Sequence, residues 1–272
     1  MRKIKLSKLL FIFCVFLMVV YTLFPVYWSF ISSTQTTPQI QMLPSLNFKN
    51  YQTVLQDAVF RNNLLSSLFV ASLTVFITLI IAIPAAFALA RFSFKGRSFL
   101  LFAILSISMF PQIVLLSGMF QTVNFFNLYN SRFALVFSYL PLVLPFTVWV
   151  LTSFIQELPK EMEEASIVDG CNRWQSLWYI FLPILGPAIA TTGILAFIIA
   201  WHEFLFALTF ILDNDKRTVP VAIALFSGAS KYELPYHVIM AASLIVTLPL
   251  MIMVFLFQRK IISGLTAGTV KG

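Results

Sequence analysis

ELPKEMEEASIVDGCNRWQSLWYIFLP, Glu157 to Pro183, is the one charge-rich stretch of the chain and interrupts a succession of long apolar runs. It holds five acids (Glu157, Glu161, Glu163, Glu164, Asp169) and two bases (Lys160, Arg173), whereas the flanking segments carry almost nothing ionisable. Activity beyond spanning a membrane is therefore expected here. Pro159 suits a first helical turn, where its missing N–H would be unpaired anyway. Glu161, Glu163 and Glu164 then fall where the helix dipole favours negative charge. Gly170 is a natural stop because it tolerates the left-handed conformation that ends helices. The spacing predicts a short amphipathic helix over 160–169, a glycine turn, and a second helix over 173–181 with Asn172 as its cap.

Around this stretch the composition is that of a membrane protein. Of 272 residues 60% are hydrophobic, 16% aromatic and 10% charged, against roughly 25% charged in an average soluble domain; mean hydropathy is +0.92. Apolar runs without charge predict six spans near 9–31, 64–90, 99–120, 133–155, 187–212 and 236–258, each long enough to cross a bilayer. The expectation is an all-α polytopic membrane protein forming a single transmembrane domain over 1–272, with no second soluble domain. The first run is too long for a cleavable signal and lacks a small-residue cleavage site. Pro111 and Gly118 are expected to kink the third span, and Pro141 and Pro145 to bend the fourth.

With this topology 12 of the 18 Lys and Arg residues lie on one side, including three in the turn Arg91 to Arg97 (RFSFKGR). The positive-inside rule makes that side, and both termini, cytoplasmic. The net charge of +8 is scattered over span ends and forms no nucleic-acid surface. Cys14 and Cys171 sit far apart in the topology and read as free thiols.

Glu164, Ala165, Ser166, Gly170, Ile180, Leu182 and Pro183 fall on the spacing E-A-A-x3-G-x9-I-x-L-P, which resembles the cytoplasmic loop of permease subunits of binding-protein-dependent ABC importers. Asn50 and Tyr51, the turn ALARFSFKGR, the sequence MFP at Met109 to Pro111, and the ending QRKIISGLTAGTVKG are similar to the sugar-importing, maltose/trehalose-type branch. The resemblance implies a type I ABC importer permease fold in the bacterial cytoplasmic (inner) membrane. It implies that the loop is a coupling helix docking into an ATPase subunit, with Glu163, Glu164, Ala165, Ser166, Asp169, Gly170, Leu182 and Pro183 at the contact. Ser166 departs from the second alanine of the pattern and Cys171 from its usual small residue, and Ser66 stands where relatives commonly carry asparagine. The tail, with Gly264, Gly268 and Lys271, would reach the same interface; simple disorder is the alternative. The implied partners are a second, non-identical permease, two ATP-binding subunits, an extracytoplasmic sugar-binding protein and membrane lipid, with no nucleic acid. ATP and Mg would be bound by those partner subunits, and no cofactor by this chain.

Glu203 is the one acid within a span, next to His202 in WHEFLFAL. Ionisable groups at membrane depth are costly and tend to face a cavity or a partner. Glu203 is thus a candidate acceptor for sugar hydroxyls, with Trp201 or Phe204 stacking on a pyranose; His202 stands where relatives usually carry asparagine. The alternatives are that Glu203 pairs with a base, caps a helix break, or serves a proton relay. The chain has no G-x-x-x-x-G-K-[ST] phosphate loop and no H-E-x-x-H, so it is expected to be a non-catalytic subunit. The expected cargo is a disaccharide such as trehalose or maltose, with glycerol phosphate or another glycoside as the alternative. An ion-driven carrier would show inverted repeats and several intramembrane carboxylates, and a membrane-embedded enzyme a cluster of catalytic side chains; neither pattern is seen.

Overall fold

A computed structural model of the chain describes residues 6–35, 47–226 and 235–267. The regular elements of the described residues are all helices, in the order α1 Leu6–Ser33, α2 Lys49–Gln56, α3 Ala58–Arg91, α4 Arg97–Ser108, α5 Gln112–Phe125, α6 Arg132–Glu157, α7 Glu161–Val168, α8 Arg173–Gln175, a π-helical segment Ser176–Phe181, α9 Leu182–Ile184, α10 Gly186–His202, α11 Leu205–Phe210, α12 Val219–Ala224 and α13 Tyr236–Ala267. Four helices are long and apolar enough to span a membrane on their own, and six spans result when each of two bent pairs is taken as one. With no water at that depth, only helices satisfy their own backbone.

The two bent pairs refine the expected spans. The third is not one kinked helix but α4 and α5 meeting at 95°. Pro111, extended at φ −56° and ψ 131°, stands at the start of α5 and cannot donate to the preceding turn. The fifth ends at His202; Glu203 is extended and α11 starts afresh. The segment before it, Arg173–Ile184, meets α10 at 78°. By contrast α6 runs unbroken through Pro141 and Pro145.

The chain divides into two compact units, Met1–Arg61 with Ile223–Leu248, and Asn62–Ala222 with Pro249–Gly272. In the first, the Asn50 amide donates to the carbonyls of Ser33 and Gln35, each at 2.8 Å, and the Ser33 hydroxyl meets Tyr51 Oη at 2.6 Å. These bonds tie α2 to the end of α1. In the second unit α6 is the central strut, packed against α4, α10 and α11. Its Thr147 and Thr152 bond their own helix, to the Val143 and Val148 carbonyls. One apolar core joins Ala86, Phe87, Leu151, Ile155, Leu177 and Phe181, so the C-terminal ends of α3 and α6 are packed directly onto the π segment.

At the far end of α6, Asn130 is a two-sided clasp. Its N–H donates to the Phe210 carbonyl at 2.9 Å, and its side-chain oxygen accepts from the N–H groups of Leu212 and Asp213 at 3.0 and 3.1 Å. It does so at φ 59°, a left-handed conformation that Asn tolerates. The Lys216 ammonium, bonded to Asp213 at 2.7 Å, and Asn130 hold the Asp213 carboxyl below its ordinary value of 3.8. Replacing Asn130 by Ala removes two acceptor bonds and strains the backbone, so it should destabilise the folded chain by about 1–3 kcal/mol, read as a lowered unfolding midpoint in detergent. Because the folded Asp213 value is depressed, its contribution is present above the usual carboxylate range and is lost as pH falls through the lowered value. Asp213→Asn should therefore lower stability slightly at neutral pH, leave it nearly unchanged in acid, and so flatten the pH dependence between the two.

Candidate functional site

The 157–183 stretch folds as two helical turns back to back. Pro159 precedes α7, and Glu161, Glu163 and Glu164 occupy its first turn. Gly170 at φ 86° ends it: the Cys171 N–H donates to the Ser166 carbonyl at 2.9 Å and the Gly170 N–H to that of Ile167 at 3.0 Å. This paired closure needs a residue free to adopt positive φ. Asn172 then starts the next helix with a full capping box, accepting from the Gln175 N–H at 2.9 Å while Gln175 Oε1 accepts from the Asn172 N–H at 2.8 Å. The predicted second helix does not stay α-helical: residues 176–181 widen into π geometry. Pro183 offers no N–H to the Tyr179 carbonyl, which interrupts the regular ladder there.

The two halves are pinned by hydroxyls. Ser166, 1% exposed, is the one buried residue of α7; its Oγ donates to the Glu163 carbonyl at 2.7 Å and lies 2.7 Å from Ser176 Oγ. Ser176 also bonds the Asn172 carbonyl at 3.2 Å. The serine that breaks the E-A-A pattern thus closes the loop on itself.

Glu164, Ala165, Asp169, Gly170 and Pro183 are exposed, whereas Leu182 is half-buried against the core. Glu163 does not join the outward crest: it turns towards Arg91, with Oε2 3.9 Å from Nε. The sequence reading missed two kinds of participant. Ile167 and Val168 are 51% and 86% exposed on α7, an apolar tip beside the acids. Arg91, which the sequence offered only as one base of the RFSFKGR turn, donates to the carbonyls of Ile155 and Leu158 at 2.9 and 2.8 Å and lies 5.1 Å over the Phe181 ring. Its side chain is 3% exposed. Bonds of this kind to a charged donor contribute about 1.5–3 kcal/mol each; they add to the Leu158 N–H that the Ile155 carbonyl already accepts at 3.3 Å and supply a donor to the Leu158 carbonyl just past the end of α6.

The candidate sugar contacts lie apart from the loop, at the α10–α11 break. Glu203 is 6% exposed and caps α11, accepting from the N–H groups of Phe206 and Ala207 at 2.8 and 3.1 Å. Gln112, the first residue of α5, donates to the same carboxylate at 2.7 Å. The Tyr139 hydroxyl faces it as well. The cap is the role this geometry supports. Trp201 is buried and stacked on Phe197 at 5.5 Å, closed to a sugar in this conformation. His202 bonds the Ile198 carbonyl of its own helix, and Phe204 is 37% exposed. Among the described residues no cluster of metal-ligating side chains occurs. Gly264 falls in α13; Gly268 and Lys271 lie outside the described residues.

Two substitution pairs separate these roles. Ser166→Ala leaves Ser176 bonded to Asn172 and should cost about 1 kcal/mol or less, whereas Ser166→Leu overfills a closed position and should cost about 1–3 kcal/mol. Glu203→Ala strips two helix N–H groups and Gln112 of their acceptor and should cost about 2–4 kcal/mol. Glu203→Gln, which retains an acceptor oxygen, should recover most of that. Unfolding midpoints of the four purified variants check both statements.

Residues 79–266 match the family described as the binding-protein-dependent transport system inner membrane component. The chain is 41% identical over 278 residues to the trehalose/maltose transport system permease protein MalG of Thermococcus litoralis, covering 100% of both. It is 37% identical over 256 residues to the sulfoquinovosyl glycerol transport system permease protein SmoH of Agrobacterium fabrum, covering 92% of this chain and 89% of that one. Its fold also matches a chain in the crystal structure of a bacterial ABC transporter involved in the import of the acidic polysaccharide alginate. There the TM-score is 0.79 at 21% identity, covering 95% of this chain and 99% of the other. With a multi-helical membrane fold, a pinned polar loop and full-length similarity to transport permeases, the chain belongs to the family of inner membrane components of binding-protein-dependent transport systems.

Proposed function

We propose that the chain is one permease half of an ATP-driven importer that carries a sugar, a disaccharide such as trehalose or maltose, across the cytoplasmic membrane. The observation that carries this reading is the build of α7. It is pinned from behind by Ser166 and Ser176 and presents Glu164, Ala165, Ile167, Val168 and Asp169 outward. A short rigid helix whose exposed face mixes acids with an apolar tip is suited to a cleft in another subunit, because the apolar residues supply burial and the acids orientation.

On this reading the chain is the moving gate and hydrolysis happens elsewhere. Two ATP-binding subunits hold ATP and Mg, a second permease completes the pathway, and an extracytoplasmic binding protein delivers the sugar. Both termini and α7 face the cytoplasm, a reading that the excess of Lys and Arg on that side supports. ATP binding displaces α7, and the permease pair changes between two arrangements of differing stability. The full-length similarity to a trehalose/maltose permease supports the disaccharide. A second reading, in which the cargo is a related glycoside, draws on the sulfoquinovosyl glycerol relative.

The deciding measurement is the ATPase rate of the complex purified through this chain and reconstituted in lipid, with its binding protein empty or loaded. Stimulation by trehalose or maltose is expected. ATPase activity that responds to another glycoside and ignores these two would discard the disaccharide. Absence of copurifying ATPase activity under every condition would overturn the importer reading.

A further inference from the structure

We propose that Arg91 is the positioning residue through which displacement of α7 reaches the spanning helices α3 and α6. The inference rests on the reading of α7 as the surface pushed by an ATPase subunit. Arg91 is the last residue of α3, and its one side chain touches three other parts of the fold. It donates to the Ile155 and Leu158 carbonyls where α6 ends, lies over Phe181 of the π segment, and faces Glu163 of α7. A planar guanidinium can serve several acceptors at fixed angles at once; an ammonium on a flexible stem cannot.

The geometry also contains an unmade bond. Arg91 Nε is buried and has no hydrogen-bond partner, while Glu163 Oε2 stands 3.9 Å away. An N–H donor and a carboxylate bond at about 2.7–3.2 Å, so an approach of α7 by roughly 1 Å closes the contact. The Ser166–Ser176 pin makes α7 and the π segment a single knob, and Glu163 is the carboxylate that knob turns towards the spans. A push on the exposed crest is thereby converted into a hydrogen bond on a side chain already fastened to α3 and α6. Because the side chain is nearly excluded from solvent, the interaction strengthens steeply with approach.

The experiment reads sugar moved per ATP hydrolysed in the reconstituted full complex, for the parent and for Glu163→Gln, Glu163→Asp, Arg91→Lys and the Arg91→Lys/Glu163→Gln double variant. A residue that merely stabilises the fold would lower the amount of complex without changing this ratio. Couplings between sites commonly amount to a factor of about 5–150; Glu163→Gln and Arg91→Lys should each lower the ratio by at least about fivefold. The double variant should lose no more than the worse single one, since both break the same link. A parental ratio in Glu163→Gln, or losses that multiply in the double variant, overturns the proposal; the latter would mean that Glu163 acts on its partner without Arg91. Should Arg91→Lys fail to assemble, Glu163→Asp decides: it keeps the charge but shortens the reach, so a lowered ratio supports the link and an unchanged one refutes it. A parent complex without ATP-driven uptake would instead overturn the transporter reading, and this one with it.

Discussion

Inside a bilayer every backbone N–H and C=O must find a partner within the protein, and the places where helices stop are where that constraint is hardest to meet. In this chain three polar side chains of the second unit stand at such places. Glu203 supplies the acceptor for α11 after α10 has ended, Arg91 supplies the donors for the last carbonyls of α6, and Asn130 serves both directions at the end of α11. The long apolar helices between these points satisfy themselves. At the α10–α11 break a side chain, that of Glu203, supplies what the backbone lacks.

That arrangement explains why charge is sparse and why what remains is informative. A buried carboxylate without partners would be too costly to keep. Glu203 has two backbone donors and the Gln112 amide, so its environment accounts for its presence without a ligand. Arg91 is different, since one of its donors is left over with a carboxylate just out of range. Where the pattern has an alanine, the Ser166 hydroxyl turns inward and makes α7 and the π segment a single body.

Much of the 157–183 loop was legible because its determinants are local. Pro159, the early acids, Gly170 and Asn172 each act on groups within a few residues of themselves, so the helix, the positive-φ turn and the capping box follow from spacing. The apolar runs likewise specify spanning helices, because a length of uncharged chain near 20 residues has few other stable solutions in a membrane. The severity of the break at Pro111 was not legible. Proline removes one donor wherever it occurs, yet α6 continues through two of them while α4 and α5 part at 95°.

The primary structure alone therefore established the class of protein, an all-helical membrane chain with long apolar runs, and the position of its charged loop, since each depends on composition or on neighbours along the chain. The partners of Arg91 and Glu203 came only with the fold. Arg91 reaches carbonyls 64 and 67 residues away, and Glu203 meets an amide 91 residues away. No periodicity or spacing encodes such pairs, because they depend on which helix ends the packed core brings together, and that is a property of the whole bundle rather than of any segment of it.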